Sequence, residues 1–136
     1  MRESLFRGFD EQSNQWVYGV GVCKDGGDGN IEPRTWILVN FPYRKASIDN
    51  KVVNEKSVGE FTGLTDKNGV KIFEGDIVSN SGSKILYIVR FNSGCFEIKC
   101  QQNKNHRLFF CDLEANELQV IGNLHDNSEL IGGAGK

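Results

Sequence analysis

No stretch of this sequence approaches the roughly 18–20 consecutive apolar residues of a membrane span, and Met1–Gly8 holds no apolar signal core. A cytoplasmic protein without a membrane partner is expected, and its four cysteines should stay reduced. Charge of one sign is also missing. The net charge is −2, with eight Lys/Arg and nine Asp/Glu in residues 1–60 and the same numbers in residues 61–136. No basic tail or acidic block exists, which argues against a large nonspecific attraction to nucleic acid or to a membrane surface. Heptads and internal repeats are absent, excluding a coiled coil and a solenoid. Proline is scarce, at two against sixteen glycines, so the chain turns often and mostly at glycine.

A hydrophobic share of 38% and a charged share of 25% fit a folded globular protein of one domain or two small subdomains. Nine Phe, three Tyr and two Trp supply bulky residues that favour strands. The patterning agrees. Residues 3–9 read as a first strand and 9–15 as a polar turn. Trp16, Tyr18, Val20 and Val22 then alternate with Val17, Gly19, Gly21 and Cys23, a period of two. The glycines of the second set suit a bend or the close approach of another backbone. Lys24–Asn30 reads as a flexible loop. Thr35–Phe41 is apolar on both faces, as in a buried strand, and Pro42 ends it. Residues 43–57 read as a polar linker with an extended segment at Val52 and Val53.

From Val58 the chain reads as short strands divided by turns. Asp66-Lys-Asn-Gly69 is a hairpin signal, because Asn-Gly tolerates the positive φ of such turns. Glu74-Gly-Asp76 turns the chain again. Ile85–Phe91 and Cys95–Cys100 form a hairpin closed by Asn92-Ser-Gly94. In its second strand Phe96, Ile98 and Cys100 share one face and Glu97 and Lys99 the other, the pattern of a sheet with one wet side. Leu108–Cys111 reads as a strand, Asp112–Glu117 as a helical turn and Leu118–Ile121 as a closing strand. Asn127 or Ser128 is expected to cap a last turn through Ile131. Residues 132–136 are expected to be a disordered tail.

Three patches resemble the YopX-like proteins carried by phages and prophages, and they come in that family's order. They are Met1–Gly8 with Gln15–Gly19, the central Val58–Val78, and Leu118–Leu130. The loop from Lys24 to Asn30 and residues 101–117 lie outside the likeness. The resemblance implies a mostly β protein encoded by a phage or prophage and acting in a bacterial host cell. It assigns no activity and no functional residue.

The residues themselves offer few constellations. Cys95, Cys100, His106 and Cys111 make a Cys3His set, chemically suited to zinc. The first pair lacks a C-x2-C knuckle, and the plainer role for Cys100 and Cys111 is buried packing. Asp66, Glu74 and Asp76 put three carboxylates near two turns, where acid–base work or a divalent cation competes with the ordinary role of accepting turn N–H groups. The ordinary role is the one expected. Trp16, Tyr18 and Trp36 are candidates for a base-stacking platform. Their sequence neighbours Gln15, Val17, Thr35 and Ile37 supply no cations, so core packing is expected. His125 stands beside Asp126 without a nucleophile to activate. Gly132-Gly-Ala-Gly-Lys136 resembles a phosphate loop in composition alone.

The expected fold is mainly β, with few short helical turns. Residues 1–57 form a smaller N-terminal β subdomain and linker, and residues 58–131 a small SH3-like barrel. The expected function is a non-catalytic interaction module with no cofactor, no metal and no catalytic residue. Its partner would be an unidentified host or phage macromolecule. The alternatives are nucleic-acid binding through the barrel face and zinc binding through Cys95, Cys100, His106 and Cys111. Self-association into a homo-oligomer is expected, because small β proteins leave strand edges unpaired. Glu3–Gly8 and Thr35–Phe41 are the segments placed at that interface.

Overall fold

The computed structural model describes residues 5–26, 29, 32–39, 50–80, 85–92, 94–100, 107–109 and 117–131. Its strands are antiparallel, and helical structure among these residues is confined to short 3-10 turns such as Glu55–Ser57 and Ser128–Ile131. The mainly β class is therefore what the chain adopts. Among the described residues no helix is long and apolar enough to cross a membrane. The chain divides into two compact units, Met1–Phe61 and Thr62–Lys136.

In the first unit β1 (Phe6–Asp10) folds back on β2 (Gln15–Gly19), with Phe6 opposite Gly19 and Asp10 opposite Gln15. The Asp10 carboxylate shapes the turn: its Oδ1 accepts the N–H of Gln12 at 2.9 Å and of Ser13 at 3.4 Å. Asn14 completes it with φ 60°, a conformation that asparagine tolerates better than most residues. β1 also pairs with the start of β6 (Gly59–Thr65) through Phe6 and Arg7. A second sheet runs in the order β3 (Gly21–Asp25), β4 (Arg34–Leu38), β5 (Lys51–Val53).

The sequence predicts one strand from Trp16 to Val22, but the structure breaks it at Val20. The cause is the backbone of β4. Val20 N–H donates to the Leu38 carbonyl at 2.9 Å, and a Cβ on Gly19 would stand 2.5 Å from that same oxygen. Gly19 thus provides the close approach that its place in the alternation suggested. The interface strands are a correction. β1 is paired on both sides, by β2 and β6, and β4 on both sides, by β3 and β5. β6 covers β1 only at Phe6 and Arg7, and beyond them Asn54 N–H donates to the Phe9 carbonyl; residues 3–4 and 40–41 of the two segments lie outside the described residues.

β6 carries the chain into the second unit, where it meets β7 (Lys71–Phe73) around the expected Asp66–Gly69 turn. Asp66 N–H donates to the Val70 carbonyl at 2.8 Å and Gly69 N–H to the Asp66 carbonyl at 3.0 Å. Gly69 has φ +80°, which a side chain would oppose. A curled half-barrel sheet follows. Its order is β11 (Arg107–Phe109), β10 (Cys95–Cys100), β9 (Leu86–Asn92), β8 (Asp76–Asn80), β12 (Leu118–Asn123), with a register shift between Val120 and Gly122.

The core lies on both faces of this sheet. Val78, Tyr87, Val89, Ile98, Cys100 and Leu118 pack with Ile72 in one cluster, and Ile77 and Ile88 pack with Ile131 in another. Ile131 is brought there by its 3-10 turn. Asn127, one of the two expected capping residues, precedes that turn and its carbonyl accepts the Leu130 N–H at 2.9 Å, while its Oδ1 accepts the N–H of Asn123 at 3.1 Å. The wet face expected of β10 is also corrected. Glu97 is buried, and its Oε1 accepts from Asn92 Nδ2 at 3.3 Å. Lys99, on the same face, is half-buried, and Arg90 opposite Glu97 is exposed, so the burial is local to Glu97.

Candidate functional site

The carboxylates of the central stretch are held by backbone. Asp66 Oδ1 accepts the N–H groups of Asn68 at 2.8 Å and Val70 at 2.9 Å, and Oδ2 accepts that of Val120 at 2.8 Å. Burial pushes the Asp66 carboxyl up, but these three donors outweigh it and hold the group below the usual aspartate range. Asp76 is 1% exposed, and its Oδ2 accepts from Phe73 N–H at 2.8 Å. Both residues have the turn-forming role expected of them.

The cysteine set is not assembled along β10. Cys95 and Cys100 stand at opposite ends of this strand, about 16 Å apart at about 3.3 Å per step. Two thiolates on one zinc ion lie within about 4 Å of each other. Cys100 is buried in the apolar cluster; His106 and Cys111 lie outside the described residues, as do residues 112–116 and the tail 132–136. Among the described residues no group of three or more His, Cys, Asp or Glu is placed to hold a metal ion. Asp126 accepts from Asn123 Nδ2 at 3.3 Å and donates its N–H to Asn123 Oδ1 at 2.8 Å, so it serves the turn that carries His125.

The tryptophans differ from expectation in one respect. Cations do cover them, but from neighbouring strand positions instead of adjacent residues. Arg7, diagonal to Trp16 across the β1–β2 pair, lies 4.7 Å from its ring centre, and Phe9 meets the same ring edge-on at 5.4 Å. Arg34, two residues before Trp36 on β4, lies 5.2 Å from that ring. Arg7 is buried and Arg34 Nη2 is paired with Asp25 Oδ2 at 3.0 Å. The Arg7 guanidinium is thus held within the packing against Trp16 and Phe9, while Arg34 is half-exposed in its ion pair.

One concave feature of the first unit joins several elements. A cavity of about 360 Å³ is lined by Asp10, Glu11 and Gln12 from the β1–β2 turn, Arg34 from β4, Val52 and Val53 from β5, and Asn54 beyond it. Val53 is buried and Val52 is 38% exposed. Glu11 Oε1 accepts from Asn54 Nδ2 at 3.2 Å. Asp10 is 8% exposed. Burial raises its pKa, but the Ser13 side chain, the Gln12 and Ser13 N–H groups and nearby Lys51 together bring it below the usual range. The turn is tied to β5 by Asn54 N–H, which donates to the Phe9 carbonyl at 2.9 Å.

The family model described as YopX protein matches residues 5–132. The chain belongs to the YopX protein family. No curated protein matches it. Among solved structures, a similar one is the crystal structure of protein EF1440 from Enterococcus faecalis, at 22% identity and a TM-score of 0.48 over 93% of this chain and 96% of that one.

In this YopX-family chain the cavity went unseen in the sequence. Val52 and Val53 read as an extended segment and Asp10 to Gln12 as part of a polar turn, and Arg34 carries no local signal of a cavity. Their meeting depends on β5 arriving beside β1 after some forty residues of intervening chain, and no local pattern signals that. The arginine on Trp36 had a visible signal, since a residue two positions away on a strand shares its face.

Proposed function

We propose that this protein is a non-catalytic binding module, an accessory protein of a phage or prophage that acts in the host cytoplasm through contact with a macromolecular partner. The observation that carries this reading is the use of the carboxylates. Asp66 and Asp76, the residues best placed in sequence for chemistry, hold backbone N–H groups at 2.8–2.9 Å and stabilise turns. A concave surface of the first unit, lined in part by Val52, is of the size that small ligand sites have, which supports a recognition role. A small β scaffold used this way is an argument from fold, which supports the reading without fixing the partner.

A protein partner is favoured over nucleic acid. Of the two arginines that cover the tryptophans, Arg7 is buried and Arg34 is ion-paired with Asp25, and the sequence has no basic excess. The test is affinity capture from infected cells with and without nuclease, comparing the natural protein with Val52→Asp. A partner retained after nuclease and lost with Val52→Asp supports the reading. Nuclease-sensitive capture that falls steeply with salt points instead to nucleic acid.

A further inference from the structure

The lining of the cavity specifies a ligand class, an inference that rests on the binding-module reading. Its apolar lining comes from β5, chiefly the half-exposed Val52 side chain; Val53, the next residue, turns its side chain to the opposite face against Gly8. Its polar part is rich in acceptors: the carboxylates of Asp10 and Glu11 and the amides of Gln12 and Asn54. Arg34 is the cation among the lining residues, and it is already engaged by Asp25 at 3.0 Å and by the Trp36 ring. Lys51 acts on Asp10 from β5 but does not line the cavity. Asp10 is also fixed in direction, because Gln12 and Ser13 N–H groups hold its Oδ1. Glu11 is held by Asn54. Oriented carboxylates beside the half-exposed Val52 side chain match a cation carried on an aliphatic stem, the amphipathic form of a lysine or arginine side chain. At about 360 Å³ the cavity is at the small end of ligand sites, which run from about 300 to 1,000 Å³.

We propose that this cavity receives a lysine or arginine side chain of a partner polypeptide. The stem lies on Val52, and the charged head meets Asp10 and Glu11.

The test is a titration of isotope-labelled full-length protein, followed by amide NMR, with N-acetyl-lysine N-methylamide. The uncharged control is N-acetyl-norleucine N-methylamide. The lysine probe is expected to shift the amides of Gln12, Val53 and Asn54 saturably, with the norleucine probe leaving them in place. Glu11→Gln keeps an acceptor for Asn54 while removing the charge, and should weaken the lysine probe by about two- to fivefold, the scale of a partly exposed ion pair. Raising salt from about 0.05 to 0.5 M should weaken it as well. Equal shifts from both probes, or an unchanged affinity in Glu11→Gln, overturn the cationic ligand class and leave the binding-module reading standing. An absence of shifts from either probe overturns the cavity as the site. The capture experiment tests the module reading independently of both outcomes.

Discussion

The Asp66 carboxylate accepts the backbone N–H of Val120 at 2.8 Å, across 54 positions of sequence. Lys67 N–H donates to the Leu118 carbonyl at 2.9 Å beside it. The hairpin turn therefore satisfies the outer edge of β12 as a further strand would, and a side-chain oxygen stands where a strand carbonyl would lie. An unpaired edge invites pairing with another chain. Here one turn residue fixes its own loop and covers that edge at once.

Asp66→Ala should be among the more damaging single changes outside the apolar core. It leaves the N–H groups of Asn68, Val70 and Val120 without their acceptor. The expected loss is about 1–3 kcal/mol, since three N–H groups in a part-buried turn lose a charged acceptor that water replaces only in part. Chemical denaturation measures it. A loss within about 0.5 kcal/mol, the range of ordinary surface changes, would show that the clamp is not stabilising.

Gly69→Val tests backbone strain separately from crowding. Gly69 has φ +80°, and an added Cβ would meet nothing within 4 Å. The expected loss is on the order of 1–3 kcal/mol, from conformation alone. Gly69→Asn should recover much of it, because asparagine tolerates the left-handed region. If valine and asparagine behave alike, strain is not the cause.

Gly19→Ala tests crowding in the first unit. The new Cβ would lie 2.5 Å from the Leu38 carbonyl oxygen and 2.6 Å from Ile37 Cγ2. Backbone cannot move aside cheaply, so a loss of about 1–3 kcal/mol is expected, as for overpacking. It should be accompanied by faster amide exchange at Val20, whose N–H donates to Leu38. Unchanged exchange at Val20 would count against the close approach of these two strands.

Acid should destabilise the fold through specific carboxylates. Asp10 and Asp66 are both held below the ordinary aspartate value. A depressed folded-state pKa gives stability that is fully present above the unfolded value and is lost as pH falls through the folded one. Denaturation midpoints should therefore be level near neutrality and decline below about pH 4. In Asp66→Asn the decline should be shallower, because one of the two groups no longer titrates. An identical pH slope in that variant would remove Asp66 from the account.

Self-association is expected, now through strands other than those the sequence suggested. β1 and β4 are each paired on both sides, whereas β3 and β5 end their sheet and β11 ends another. Pairing of such end strands about a symmetry axis closes without forming fibres. Light scattering over a concentration series should give a mass above that of one 15.2 kDa chain. A monomer mass held to high concentration would leave those edges to be covered by a different partner.

The sequence by itself determined the class of fold and most of the turns. Alternating apolar residues allow few structures other than strands, and Asn68-Gly69 permits a backbone that few other pairs adopt. Those signals are local, carried by residues within a turn or strand of each other. The tertiary structure decided what lies far apart in sequence. Strand alternation placed Glu97 in solvent, yet it is buried and takes a hydrogen bond from Asn92 on the neighbouring strand. Trp16 reads as an aromatic without a cation until β1 brings Arg7 across to it. The cavity exists because the turn at Asp10–Gln12, the start of β4 and the end of β5 converge. Short-range sterics and periodicity are written in neighbouring residues. Which strand meets which, and what each face then touches, follows from packing the whole chain.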